Sequence, residues 1–236
     1  MNMHETAIVV GVGPGLGWAL VKRFATENMR VAAVARDEKK LNDLINSVSE
    51  QDVRPYTADI SKAKDVSRVF ESVERDLGDP DLVVFNAGAY QRGNVIDIDP
   101  ADFERCWRIG CLGGFLVGQA AARRMVTRGR GTIIFTGATA ALRGSAGFAN
   151  LAVPKFGLRA LAQSMARELG PRGIHVAFVV IDGQIESERY RHLLDERGDD
   201  SLLSPDAIAE SYLRLHQQQR SAWSQEIDVR PWSEKF

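Results

Sequence analysis

The chain has 236 residues, 44% of them hydrophobic and 26% charged, a balance that excludes a disordered or fibrous protein. Thirty Lys plus Arg against thirty-one Asp plus Glu leave a formal charge of −1, so no overall basic field would draw in nucleic acid or an anionic membrane surface. Apolar runs such as 176–181 fall far short of the roughly 20 residues that span a bilayer, and no membrane partner is expected. Residues 1–6 lack the cationic start of a secretory leader. Cys106 and Cys111, five apart in a helical stretch, point to different faces, so the reading is a reducing, cytoplasmic protein without a disulfide.

Short runs rich in β-branched residues at 7–10, 31–34, 82–85, 132–135 and 176–181 read as strands apolar on both faces. Helical spacing runs over 16–28, 38–50, 63–77, 100–128 and 150–170. The alternation predicts an α/β protein, a single Rossmann-like doubly wound parallel sheet flanked by helices on both faces, in one domain over 1–236. Within 100–128, Gly110, Gly114 and Gly118 recur every fourth residue. Each costs about 1 kcal/mol against Ala in helix propensity, which close packing would offset. Asn150 is a natural N-cap that starts the next helix at about Leu151 and confines the damage from Pro154 to its first bond. The charged stretch 182–203 breaks the rhythm and reads as a loop or short helices covering a site. Ser204-Pro205 marks a further helix start, and 226–229 a last strand.

The segment Gly11-Val12-Gly13-Pro14-Gly15-Leu16-Gly17 joins the first strand to a helix beginning near Trp18. Four glycines exceed what tight strand-on-helix packing needs. They let a ligand approach the amides at a helix N-terminus, where an anion is favoured. Gly11, Gly13, Gly15, Leu16 and Gly17 are therefore candidate nucleotide contacts. The same segment also resembles the glycine loop of S-adenosylmethionine-dependent methyltransferases, and both readings stand at this point. The end of the second strand separates them. NAD or S-adenosylmethionine requires an acidic residue there for the ribose hydroxyls, whereas this chain has Arg36 followed by Asp37, and a guanidinium suits a 2′-phosphate. NADP(H) is expected in preference to NAD(H).

Gly11, Gly15 and Gly17 are joined by Asp59, by Asn86-Ala87-Gly88 after the strand at 82–85 and by Lys155 on the helix at 150–170. In these landmarks the chain resembles the short-chain dehydrogenase/reductase family over nearly its whole length. The resemblance implies that Asp59, with Ile60 beside it, contacts the adenine. It implies that Asn86, Ala87 and Gly88 hold the central sheet and line the adenosine ribose, and that Lys155 binds the nicotinamide ribose hydroxyls. The methyltransferase reading becomes a minor alternative.

The family's chemistry uses a tyrosine four residues before the lysine, a serine about thirteen residues before that, and an asparagine on the preceding long helix. Those positions hold Leu151, Ala138 and Gly110 here, and Asp182-Gly183 stands where Pro-Gly is usual. Leucine cannot move a proton, and alanine cannot hydrogen-bond a carbonyl oxygen. What remains is an NADP(H)-dependent oxidoreductase of a small carbonyl or alcohol with a different proton donor, or a cofactor-binding sensor or assembly subunit without turnover. Lys155 and Tyr90 are the candidate catalytic residues, Tyr90 because the resemblance puts it near the mouth of the nicotinamide pocket. Thr136, Thr139, Tyr190 and His192 read as ordinary strand-end or surface side chains, and His175 as structural. No metal is expected, since His4 and His216 have no ligand spacing. The small-residue face of 100–128, read as a surface for another copy, and the family's pairing of two long helices across a dyad imply a homo-oligomer, dimer or tetramer, through 100–128 and 150–170.

Overall fold

The computed structural model describes residues 4–46 and 52–233. Residues 1–3 of the expected leaderless start and 47–50 of the second expected helix lie outside the described residues. The strands are β1 Thr6–Val10, β2 Arg30–Ala35, β3 Val53–Thr57, β4 Leu82–Phe85, β5 Gly131–Thr136, β6 Ile174–Ile181 and β7 Glu226–Val229. The helices are α1 Leu16–Thr26, α2 Glu38–Asn46, α3 Ala63–Leu77, α4 Pro100–Trp107, α5 Gly113–Arg128, α6 Ala149–Leu169, α7 His192–Arg197 and α8 Pro205–His216. All strand pairs are parallel, in the order β3-β2-β1-β4-β5-β6-β7. The direction of winding reverses between β1 and β4, and such a reversal opens a crevice at the carboxyl ends of the strands.

Alternate side chains of the strands feed two cores. Phe85, Phe135 and Phe178 pack with α3, α5 and α6, while Val84, Ile134 and Val179 pack with α1 and α8 around Phe24 and Tyr212. Each such side chain contributes about 1.5–3 kcal/mol on leaving water. Both faces of the sheet are covered, which is why the strands read as continuous apolar runs rather than as alternating ones.

Three local expectations are corrected. The helix expected over 100–128 is interrupted by a π turn at Arg108–Leu112 that contains Gly110. The glycine stripe packs inside the protomer rather than forming a contact between copies. A Cβ on Gly110 would lie 3.0 Å from Pro154 Cβ, one on Gly114 2.3 Å from Leu158 Cδ1, and one on Gly118 2.9 Å from Phe135 Cζ. Finally, α6 begins at Ala149, with Phe148 rather than Asn150 as its cap residue. The Phe148 carbonyl accepts from the amides of Leu151 and Ala152 at 2.9 and 2.8 Å, and the Asn150 side chain is drawn away to donate to Gln91 O at 3.0 Å.

Stretch 182–203 holds short helices, as its composition suggested. Its base is tied by a parallel bridge between Ile185 and Leu203, with Glu186 N donating to Leu203 O and Leu203 N to Gln184 O, both at 2.9 Å. Cys106 and Cys111 are both free thiols. No helix among the described residues is long and apolar enough to cross a membrane.

Candidate active site

The glycines after β1 divide into two kinds. Gly11 has φ +94°, and a Cβ there would stand 2.5 Å from the Ala87 nitrogen; a Cβ on Gly17 would stand 2.6 Å from Gly11 O. Those two serve the fold. Around Gly13 and Gly15, by contrast, nothing lies within 4 Å of where a Cβ would be. They leave bare main chain facing open space, which is what close approach of a ligand needs. α1 starts at Leu16, two residues before the expected Trp18, because the Trp18 amide already donates to Gly13 O and Gly15 O at 3.0 Å. The helix has no side-chain cap and no acidic residue in its first turn, so none of its own side chains neutralises its positive end.

Along this turn runs a cleft of about 700 Å³. It brings together Gly11, Gly13, Arg36, Asp59, Ile60, Asn86, Ala87 and Gly88 of the expected residues. Gly15, Leu16, Gly17, Tyr90 and Lys155 are not in its lining; Leu16 and Gly17 are buried in the first turn of α1. Asn86 fixes the cleft floor, its Nδ2 donating to Gly11 O at 3.1 Å and its amide to Val10 O at 2.8 Å. Asp59 is committed to its own turn. It accepts from the Ser61 hydroxyl at 2.7 Å and the Ser61 amide at 3.1 Å, and the hydroxyl is the main reason its carboxyl lies below the usual range.

At the end of β2, Arg36 is exposed in the cleft and makes no ion pair among the described residues. Asp37 has turned to cap α2: its Oδ1 accepts from the Lys40 amide at 3.1 Å, a bond that chiefly lowers its pKa, and its carbonyl accepts from the Leu41 amide. Lys40, also in the cleft lining, places its Nζ 3.5 Å from Asp37 Oδ2. Sequence reasoning missed Lys40. The signal was present, since Lys40 lies in the first turn of α2, directly after the strand end that carries Arg36.

The other half of the crevice, over β5 and β6, is built of side chains that bond to one another. Lys155, buried on α6, donates to Thr136 O at 2.6 Å, and burial pushes its pKa down to about 8. Thr136 Oγ1 lies 2.8 Å from the buried Tyr212 hydroxyl. Ala138 and Leu151 are half-buried. Tyr90 is 43% exposed and stacks on Phe148 with ring centroids 5.1 Å apart, just before the first turn of α6. A cluster that sequence reasoning did not assemble closes this side: Thr139 Oγ1 donates to Asp182 Oδ1 at 2.5 Å, and Arg230 pairs with both Asp182, at 3.1 Å, and Asp228. The signal for it was Asp182 itself, a lone acid ending an eight-residue apolar strand.

Of the remaining candidates, Tyr190 ends a short 3-10 turn and His192 starts α7, both on the 182–203 excursion. His175 is structural in its contacts: it stacks on Trp223 at 4.8 Å, bonds Ser224 O, and has its pKa lowered by burial.

The sequence and the fold both match known proteins. Residues 5–196 match the family model described as short chain dehydrogenase. A short-chain dehydrogenase/reductase of Armillaria gallica is 32% identical over 199 residues, 81% of this chain and 75% of that protein. The crystal structure of a short-chain dehydrogenase from Rhodopseudomonas palustris superposes with a TM-score of 0.84 at 35% identity, covering 97% of this chain and 99% of that one. A metagenomic short-chain oxidoreductase, solved in complex with NADP, superposes with a TM-score of 0.81 at 25% identity over 96% and 97% of the two chains. With a parallel sheet wound in this order, a glycine turn at its first crossover and these matches over most of its length, the chain belongs to the short-chain dehydrogenase family of oxidoreductases.

Proposed function

We propose that the protein is an NADP(H)-dependent oxidoreductase that interconverts a small alcohol and its carbonyl compound by a proton donor other than the family's usual tyrosine. One observation carries the cofactor assignment. At the end of β2 the exposed Arg36 makes no ion pair among the described residues, while Asp37, the acid that follows it, is spent on capping α2. A 2′-phosphate gains a charge-assisted contact from Arg36 and a second cation in Lys40; a free ribose hydroxyl pair finds no carboxylate directed to it. The bare main chain at Gly13 and Gly15 and the uncapped start of α1 fit a diphosphate. Bound there, the cofactor supplies hydride chemistry. Asn86 and Gly88 border the adenosine side, and Lys155 serves the nicotinamide ribose.

Leu151 and Ala138 stand at the positions of the family's tyrosine and serine, so a neighbouring group must move the proton. Tyr90, held against Phe148 beside α6, is one candidate. The excursion at 182–203 covers the substrate. Assembly into a dimer or tetramer uses the exposed Trp107 and Phe115 of α4 and α5 with Val153 and Phe156 of α6, rather than the glycine stripe. Titration of tryptophan fluorescence with NADPH, NADH and S-adenosylmethionine tests the reading. The expected order is NADPH tightest, NADH weaker and S-adenosylmethionine without effect. Equal binding of NADH removes the role of Arg36, and saturable binding of S-adenosylmethionine alone returns the methyltransferase.

A further inference from the structure

Asp182 is a carboxylate 5% exposed at the end of β6, held where the chain leaves the sheet. Its amide donates to Val229 O at 2.9 Å, and the next residue, Gly183, has φ +151° with Pro231 Cδ 2.6 Å from where a Cβ would stand. The carboxylate therefore cannot drift away. Its oxygens are divided between two partners, Oδ1 accepting from the Thr139 hydroxyl and Oδ2 facing Arg230. Arg230 is shared with Asp228, so Asp182 does not hold the guanidinium alone. Thr139 is half-buried and follows Ala138 directly.

The direction of that hydrogen bond decides what the pair can do. A hydroxyl that has given its proton to a carboxylate presents only lone pairs to a third group, so it accepts from an O–H and repels a carbonyl oxygen. A simple strand tie needs no buried acid at this place, since Thr139 and β6 would pack as well with apolar groups.

We propose that Thr139 and Asp182 form the proton relay of this protein, which takes the hydroxyl proton when an alcohol is oxidised and returns it in the reverse reaction. This rests on the reading of the crevice as a nicotinamide-cofactor site. The substrate O–H bond breaks and its proton goes to Thr139 Oγ1, while the proton of Thr139 passes to Asp182 Oδ1 and later to water. The C–H bond breaks with its electron pair, which reduces the oxidised nicotinamide as a hydride, and the C–O bond becomes C=O. The alcohol loses two electrons and two hydrogens, and both are accounted for. Thr139 touches the substrate; Asp182 acts through it.

The test uses the whole chain and the variants Asp182→Asn, Thr139→Val and Thr139→Ser. A carboxylate at the nicotinamide end favours the positively charged oxidised ring over the neutral reduced one. Asp182→Asn is expected to weaken NADP⁺ about fivefold while leaving NADPH within about twofold, which also certifies the fold. With NADP⁺ and a panel of secondary alcohols, Thr139→Val is expected to lower kcat about 100-fold with KM little changed, and Thr139→Ser to restore it to within about threefold. An unchanged ratio of NADP⁺ to NADPH affinity in Asp182→Asn overturns the relay. So does wild-type kcat in Thr139→Val. Failure of wild type to bind either cofactor form removes the underlying cofactor reading instead.

Discussion

The two halves of the crevice are made differently. Over β1, β2 and β4 the surface is main chain and open space, with Gly13 and Gly15 bare and Arg36, in a cleft of about 700 Å³, without an ion pair among the described residues. Over β5 and β6 the polar groups are buried and bonded to each other, Lys155 to Thr136 O and Thr139 to Asp182. The first half is shaped to receive a ligand whose features are fixed and anionic. The second half holds its polar and charged groups in internal bonds. Binding and chemistry should therefore respond separately to substitution, and each substitution below probes that separation.

The largest effect is expected from the glycines that serve the fold. Gly11→Ala and Gly17→Ala force a Cβ against backbone and should each cost about 3 kcal/mol or more of stability. Gly13→Ala, with open space around it, should stay within about 0.5 kcal/mol of wild type in a urea melt and yet weaken NADPH binding. Equal melts for Gly13→Ala and Gly17→Ala would erase the division between the two kinds.

Lys155 comes next. Its pKa is lowered to about 8 from 10.5 by burial, so the unfolded chain binds more protons between those values and stability rises with pH across that window. Between pH 7 and pH 11 wild type should gain about 3 kcal/mol relative to Lys155→Met. Parallel pH dependence of the two proteins in denaturant melts would show that the ammonium is not desolvated.

Arg36→Asp should reverse cofactor preference, shifting NADPH affinity by about 1.5–3 kcal/mol without touching stability. Lys40→Ala is the smallest step. It should cost about 0.5–1 kcal/mol of NADPH affinity and nothing for NADH, as an exposed cation would. If Lys40→Ala weakens both cofactors equally, Lys40 acts on the diphosphate or on the structure of α2 rather than on the 2′-phosphate.

Sequence alone made β1, β2, β4, β5 and β6 legible because each is buried on both faces, and β4 and β7 have the bounds read from the sequence, whereas β3, with Arg54 and Pro55 exposed, offers no apolar run. The open half was legible too, since glycine and a strand-end arginine announce themselves locally. What stayed hidden depended on partners distant in the chain. Nothing near Gly114 tells that Leu158 fills the space beside it, so its stripe read as a surface for another copy. Asn150 looked like a cap because its true partner, Gln91 O, lies 59 residues away. Asp182 was visible only as a departure from a pattern, and its meaning came from Thr139 and Arg230, which sequence places 43 and 48 residues from it. Side-chain pairing across strand ends is what a linear reading cannot assemble.

The central claim is that affinity resides in the open half and is set by a 2′-phosphate. Equilibrium titration with adenosine 2′,5′-bisphosphate and adenosine 5′-monophosphate, two fragments that never reach β5 or β6, tests it most directly. The account predicts that the bisphosphate displaces NADPH and binds at least about tenfold tighter than the monophosphate, a difference of about 1.4 kcal/mol from one charge-assisted contact. Equal affinity of the two fragments would contradict it.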